Sequence, residues 1–261
     1  MSRRFSRTTT PADTIMLDAL AGVLAVGVVV AGIGHLLLHQ PGWTPEQVLR
    51  GLVGHVALGS AVALAAAWRL GTRRFGLANH VTLLRAGLTC LAAGALGAGG
   101  GAPGISWPLV ALGAAALCLD GLDGWLARRL QLSSRFGARF DVEVDAFLLL
   151  TLSLLVWQSG RAGFWVLAIG LMRYGFLLAG RLVPALRRPL PASRRRKVIC
   201  VVQGAVLLIC LLPPLSGALA SWLAAAALLA LAVSFALDTA SLLRRNEVAD
   251  RFSTELDQQR P

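Results

Sequence analysis

The feature that most restricts this chain is the recurrence of apolar stretches long enough to cross a bilayer. They fall at about 14–38, 47–69, 80–98, 106–127, 139–158, 162–183, 197–213 and 216–242. About 20 apolar residues in helical conformation span the hydrocarbon core, and a helix satisfies its own backbone groups there. Eight such runs predict an all-α, polytopic membrane helix bundle of about eight spans. Composition agrees. Of the 261 residues 56% are hydrophobic and 15% charged, less charge than a soluble domain of this size carries. The first run is long and has no clean small-residue cleavage site after it, so it does not read as a removable secretory signal.

The loops alternate in charge. Arg3, Arg4 and Arg7 precede the first run, Arg69, Arg73 and Arg74 follow the second, and Arg128, Arg129, Arg135 and Arg139 follow the fourth. Seven basic residues from Arg181 to Lys197 follow the sixth, and Arg244, Arg245, Arg251 and Arg260 follow the eighth. The intervening loops hold only Arg50 and Arg161. Eight spans with both termini inside therefore put 21 of the 25 basic residues on the cytoplasmic side, and one span more or fewer would scramble the alternation. The expected setting is a bacterial inner (cytoplasmic) membrane. The net charge of +12 then reflects topology and anionic headgroups rather than nucleic acid. Cys90, Cys118, Cys200 and Cys210 lie in apolar runs without metal-ligand spacing and read as small buried residues. The chain divides into a basic tail and accessory transmembrane hairpin (1–70), a six-span core (71–243) and a charged tail (244–261). Asp18, in the first run, reads as a snorkelling or partnered carboxylate.

Charge is concentrated where it is least expected. Five of the 13 acidic residues fall in the 26 positions from Asp120 to Asp145, flanked by apolar sequence. Asp120 and Asp123 are three apart, while Gly137, Asp141 and Asp145 are four apart, so each set shares one helical face. Two antiparallel helix ends would bring four carboxylates into one pocket. Unpaired they would repel, whereas hard divalent cations favour carboxylate oxygen. Four carboxylates suffice for two ions, an arrangement that clamps a phosphoryl group in displacement chemistry. Gly124 and Gly137 permit close approach of a helix or ligand, and Arg128 is placed to contact a phosphate. Glu143 lies about 160° round the helix from its aspartate neighbours and is left out of the site.

The pattern Asp120-x-x-Asp123-Gly124-x-x-Ala127-Arg128, eight residues, Gly137-x-x-x-Asp141-x-x-x-Asp145 resembles the full signature of the integral membrane CDP-alcohol phosphatidyltransferases. The resemblance covers about residues 75–243. It extends upstream to Asn79-x-x-Thr82-x-x-Arg85, similar to the family's short polar motif, although Arg85 in its apolar run also reads as an arginine snorkelling to the interface. The two N-terminal spans are a departure from the usual core. The resemblance implies transfer of a phosphatidyl group from CDP-diacylglycerol to the hydroxyl of a small polar alcohol, with release of CMP. It implies Mg²⁺ or Mn²⁺, two ions, on Asp120, Asp123, Asp141 and Asp145, with Asp141 and Asp145 catalytic and Asp145 the base. Gly124, Ala127, Arg128 and Gly137 would line the CDP site, with Asn79 and Thr82 beside it. A homodimer among membrane lipids is implied by resemblance alone.

Family members that take phosphorylated acceptors, such as glycerol 3-phosphate or inositol phosphate, carry basic residues near the sixth loop. Arg135, Arg139, Arg173, Arg194 and Lys197 are the candidates here, with topology alone as the competing explanation. Two other functions compete. A membrane prenyltransferase also binds a lipid diphosphate through aspartates, but the Gly-x-x-Ala-Arg insertion and the spacing from Asp123 to Asp141 argue against it. A cation transporter or catalytically silent protein would place acids along a midplane pathway rather than at one boundary.

Overall fold

The computed structural model describes residues 11–69, 75–97, 106–129, 134–182 and 194–258, without the side chains of 11–13, 122–129, 194, 197 and 242–258. Among the described residues the chain is all-helical. Its eight α-helices are α1 (Pro11–Leu37), α2 (Pro45–Arg69), α3 (Gly76–Gly94), α4 (Trp107–Arg129), α5 (Arg135–Gln158), α6 (Leu167–Leu182, after a 3₁₀ turn at Phe164–Val166), α7 (Arg194–Cys210) and α8 (Gly217–Gln258). Among the described residues four segments are long and apolar enough to cross a membrane: Thr14–Leu37, Pro45–Arg69, Phe164–Leu182 and Gly217–Ser241. Trp107–Gly121 and Val198–Cys210 are shorter apolar helices. The chain is an integral, multi-pass membrane protein. α8 continues unbroken to Gln258, through most of the charged segment that begins at residue 244. Charge ends an apolar run without ending a helix.

Local chemistry explains the helix starts. Thr44 and Gln47 form a reciprocal capping box, with the Thr44 N–H donating to Gln47 Oε1 at 2.8 Å and the Gln47 N–H to Thr44 Oγ1 at 3.3 Å. Pro45 occupies the first helical position, where its missing N–H costs nothing. Ser134 caps α5, its Oγ accepting from the Gly137 N–H at 2.9 Å. Asp18 of α1 accepts from the Phe75 N–H at 3.2 Å, which ties the N-terminal hairpin to the entry of α3. Its reading as a partnered carboxylate therefore holds.

The helices alternate in direction, because the connections sort into two groups. At one end Arg50 Nη1 donates to Leu96 O at 2.6 Å, the Gly97 N–H donates to Gln158 Oε1 at 3.1 Å, and Arg161 donates to the carbonyls of Leu212, Pro213 and Leu215. Arg50, early in α2, and Arg161, the two arginines that break the charge bias, thus donate to carbonyls just beyond α3 and in the turn between α7 and α8. At the other end Phe75 stacks near Phe136, and Phe136 near Phe140.

α3 is the central element, packed against α1, α2, α4 and α5. Glycine sets the closest crossing. A Cβ on Gly51 would stand 2.8 Å from Leu91 Cα, and one on Gly94 2.9 Å from Gly51 N, so α2 and α3 meet backbone to backbone. Apolar attraction between helices is weak in lipid, so close packing and internal hydrogen bonds hold such a bundle. The buried polar residues fit this. Gln203 Nε2 donates to Ala227 O at 2.8 Å, linking α7 to α8, and Thr89 and Ser153 each donate to the carbonyl four residues earlier. Leu24, Val28, Trp68 and Trp222 face outward. All four cysteines are free. Cys90 and Cys210 are buried, but Cys118 is exposed and Cys200 half-buried, which corrects the expectation of four buried thiols. In a lipid-facing helix an apolar setting does not require burial in protein.

Candidate active site

The site is assembled by α3, α4 and α5 around one arginine. Arg85 is fully buried. Its Nε donates to Ala116 O at 3.1 Å, which fixes the guanidinium against α4. Nη1 meets Asp141 Oδ1 at 2.5 Å, and Nη2 lies 3.2 Å from Asp120 Oδ1 and also pairs with Asp145 Oδ1. Of the two readings of Arg85, a member of the upstream polar motif or an arginine snorkelling to the interface, the second does not fit this burial and pairing. Three carboxylates on two neighbouring helices compensate its charge where the side chain is cut off from water. It is the residue that sequence reasoning left out of the site. The available signal was its three-residue step from Thr82, which puts Asn79, Thr82 and Arg85 on one face of α3.

Asp120, near the cytoplasm-directed end expected for α4, and Asp141 and Asp145, one turn apart on α5, are all partly buried. Carboxylate oxygens of the three lie within 4.8 Å of one another. Oxygens on a single Mg²⁺ at about 2.1 Å stand roughly 3–4 Å apart, so small rotations would let the three share an ion. The donor set is all hard oxygen, the preference of Mg²⁺ and Mn²⁺. With Arg85 the group carries a net charge of two negatives, which one divalent cation balances. Asp123, Gly124, Ala127 and Arg128 lie on the last turns of α4, and their side chains fall outside the described residues.

Asn79 and Thr82 are buried on α3. Asn79 Nδ2 donates to Phe75 O, while its Oδ1 lies against Gly137, where an added Cβ would stand 2.7 Å away. Thr82 Oγ1 donates to Ala78 O at 3.0 Å. The upstream motif and Gly137 are thus in contact although 58 positions separate Asn79 from Gly137.

The three aspartates open onto a cavity of about 410 Å³ between α4, α5, α6 and α7, lined also by Arg173, Arg196 and Cys200. Of the expected acceptor arginines whose side chains are described, Arg173 alone lines this cavity. It pairs with Glu143, and its buried Nε has no hydrogen-bond partner among the described residues. Arg139 lines a different cavity on the other side of α5, and Arg135 is exposed. The side chains of Arg194 and Lys197 lie outside the described residues. Arg196 was not among the candidates. It faces Asp238 at 3.7 Å, and Arg195 pairs with the same carboxylate at 2.5 Å. Asp238, an acid inside the last apolar run, could have been matched to the basic run at 194–197, because an intramembrane carboxylate ordinarily has a cationic partner. Glu143 pairs with Arg173.

A multi-pass helical membrane protein with a carboxylate centre at one end of its bundle narrows the class to membrane proteins that handle cations or phosphorylated lipids. A family model described as CDP-alcohol phosphatidyltransferase matches residues 75–237, from the entry of α3 into α8. The chain belongs to the CDP-alcohol phosphatidyltransferase family and is an enzyme of phospholipid synthesis. The family uses a divalent metal and moves a phosphatidyl group from a CDP-linked lipid to an alcohol. α1 and α2 precede the matched range. Searches of curated proteins and of solved structures returned no match.

Proposed function

We propose that this enzyme transfers the phosphatidyl group of CDP-diacylglycerol to the hydroxyl of a small polar alcohol and releases CMP, and that the alcohol carries a phosphate, as glycerol 3-phosphate and inositol phosphate do. The observation that carries this reading is the convergence of Asp120, Asp141 and Asp145 around Arg85, at the wall of a cavity that also holds Arg173 and Arg196. Asp120, Asp123, Asp141 and Asp145 would hold two Mg²⁺ or Mn²⁺ ions. When bound, these ions supply charge neutralisation on the diphosphate and on the departing CMP.

The rest falls to the chain itself. Asp145 accepts the proton of the acceptor hydroxyl, whose oxygen attacks the lipid-proximal phosphorus as the bond to the CMP oxygen breaks. Arg85 holds Asp141 and Asp145 in one orientation through the paired nitrogens of its guanidinium. Asn79, Thr82 and Gly137, with Gly124, Ala127 and Arg128, form the CDP side of the site. Arg173 and Arg196 give the acceptor side two cations, the chemistry that selects a phosphate. All eight helices would span the membrane, α3–α8 as the catalytic core and α1–α2 as an accessory hairpin, with the site and both termini cytoplasmic.

Screening CMP release with glycerol 3-phosphate, inositol phosphate, inositol, serine and glycerol tests the assignment. A phosphorylated acceptor should support turnover at least tenfold faster than its unphosphorylated counterpart, and Arg173→Gln should raise KM for it. Equal use of inositol and inositol phosphate, or of glycerol and glycerol 3-phosphate, would refute the acceptor reading.

A further inference from the structure

A second cavity, of about 560 Å³, opens where the N-terminal hairpin meets the core. Leu58, Ala61, Val62, Ala65 and Arg69 of α2 line it at steps of three and four, so one face of the helix runs from apolar residues to an arginine in the last turn. Phe140 and Val144 of α5 and Leu177 of α6 close the apolar part, and Arg139 joins Arg69 at the charged end. The volume is that of sites which enclose a small molecule.

Two of the three arginines of this cavity differ from those elsewhere. Arg50, Arg85, Arg161, Arg173 and Arg195 each engage a carbonyl or carboxylate of the protein. Arg69 and Arg139 are exposed and have no hydrogen-bond or ion-pair partner among the described residues. With Arg173 and the single acid Glu143, the lining carries three positive charges against one negative. An apolar slot that ends in uncompensated guanidinium groups at a membrane boundary complements a molecule with an acyl chain and an anionic phosphate.

We propose that the cleft between α2, α5 and α6 binds an anionic glycerophospholipid, its phosphate at Arg69 and Arg139 and a chain along Leu58, Ala61, Val62 and Ala65. The site is separate from the phosphatidyl-transfer cavity, which lies across α5, and α2 stands outside the family match. The lipid would join the accessory hairpin to the catalytic core. Arg173 lines both cavities, so an occupant here touches a residue that also borders the aspartate cavity.

The test is lipid retention by the purified full chain, measured by native mass spectrometry with phosphatidylglycerol and, separately, phosphatidylcholine. Phosphatidylglycerol should be retained preferentially. Arg69→Gln with Arg139→Gln should weaken its retention about thirtyfold while leaving phosphatidylcholine unchanged. Ala61→Phe, which fills the slot and keeps both charges, should also displace it, and an excess of inorganic phosphate should not. A benzoylphenylalanine placed at Ala65 should cross-link to lipid. Equal retention of the two lipids, retention indifferent to both variants, displacement by inorganic phosphate alone, or a cross-link to a second copy of the chain would each overturn the proposal. None of these readouts depends on phosphatidyl transfer.

Discussion

Replacing Arg85 with methionine removes a cation on which three carboxylates converge and keeps most of the side chain's length. The arginine is fully shielded, whereas the side chains of Asp120, Asp141 and Asp145 are 14%, 35% and 26% exposed. Removing one partner of a buried ion pair costs about 3–5 kcal/mol, and partial access to water puts this case near the lower end, about 3 kcal/mol. The loss arises because three like charges remain with oxygens inside 4.8 Å and no compensating guanidinium. A divalent cation offsets that repulsion. Arg85→Met should therefore melt well below the unaltered protein in EDTA and recover more of the difference when Mg²⁺ is added than the unaltered protein gains. Arg85→Lys, which keeps the charge but loses the forked geometry, should fall between. Thermal unfolding in detergent, followed by intrinsic fluorescence, reads both quantities. An Arg85→Met protein that melts with the unaltered one in EDTA, or gains no more from Mg²⁺, would refute the electrostatic account of this arginine.

Other outcomes follow from the same geometry. Asp145→Asn and Asp141→Asn should each lower CMP formation by about 10²-fold or more while insertion persists, and near-normal turnover of Asp145→Asn would end its assignment as base. Gly137→Ala sets a methyl 2.7 Å from Asn79 Oδ1 and should raise KM for CDP-diacylglycerol, because the Asn79 amide must turn away from Phe75. Arg161→Met removes the guanidinium from the carbonyls of Leu212, Pro213 and Leu215, of which Leu212 O keeps the Leu215 N–H at 3.1 Å, and should cost about 1–3 kcal/mol in unfolding experiments with kcat unchanged.

The fold was largely legible because the bilayer imposes a length on each helix. The eight apolar runs and the eight helices differ by at most five residues at every end except that of α8. There, charged residues mark the limit of the membrane and not the limit of the helix. The site was partly legible. Periodicity groups Asp141 with Asp145 on α5, and the short connection between α4 and α5 returns the chain so that Asp120 can join them. Arg85 and Asp238 do not yield to that argument. Arg85 is 56 positions from Asp141, and Asp238 is 43 from Arg195, so only the packing of α3 on α5 and of α7 on α8 brings the partners together. That Arg173 borders the aspartate cavity while Arg139 does not was hidden for the same reason. Both belong to a basic set by composition, and α5 stands between the cavity of the aspartates and the one that Arg139 lines.

The measurement closest to the central claim is product release by purified protein given CDP-diacylglycerol or a prenyl diphosphate, first in EDTA and then with Mg²⁺ or Mn²⁺ restored. Metal-dependent CMP from CDP-diacylglycerol, absent in EDTA and absent in Asp141→Asn, is the predicted result. Pyrophosphate from the prenyl substrate, or undiminished CMP formation in a metal-free preparation, would contradict the assignment of these aspartates to a metal-dependent phosphatidyl-transfer site.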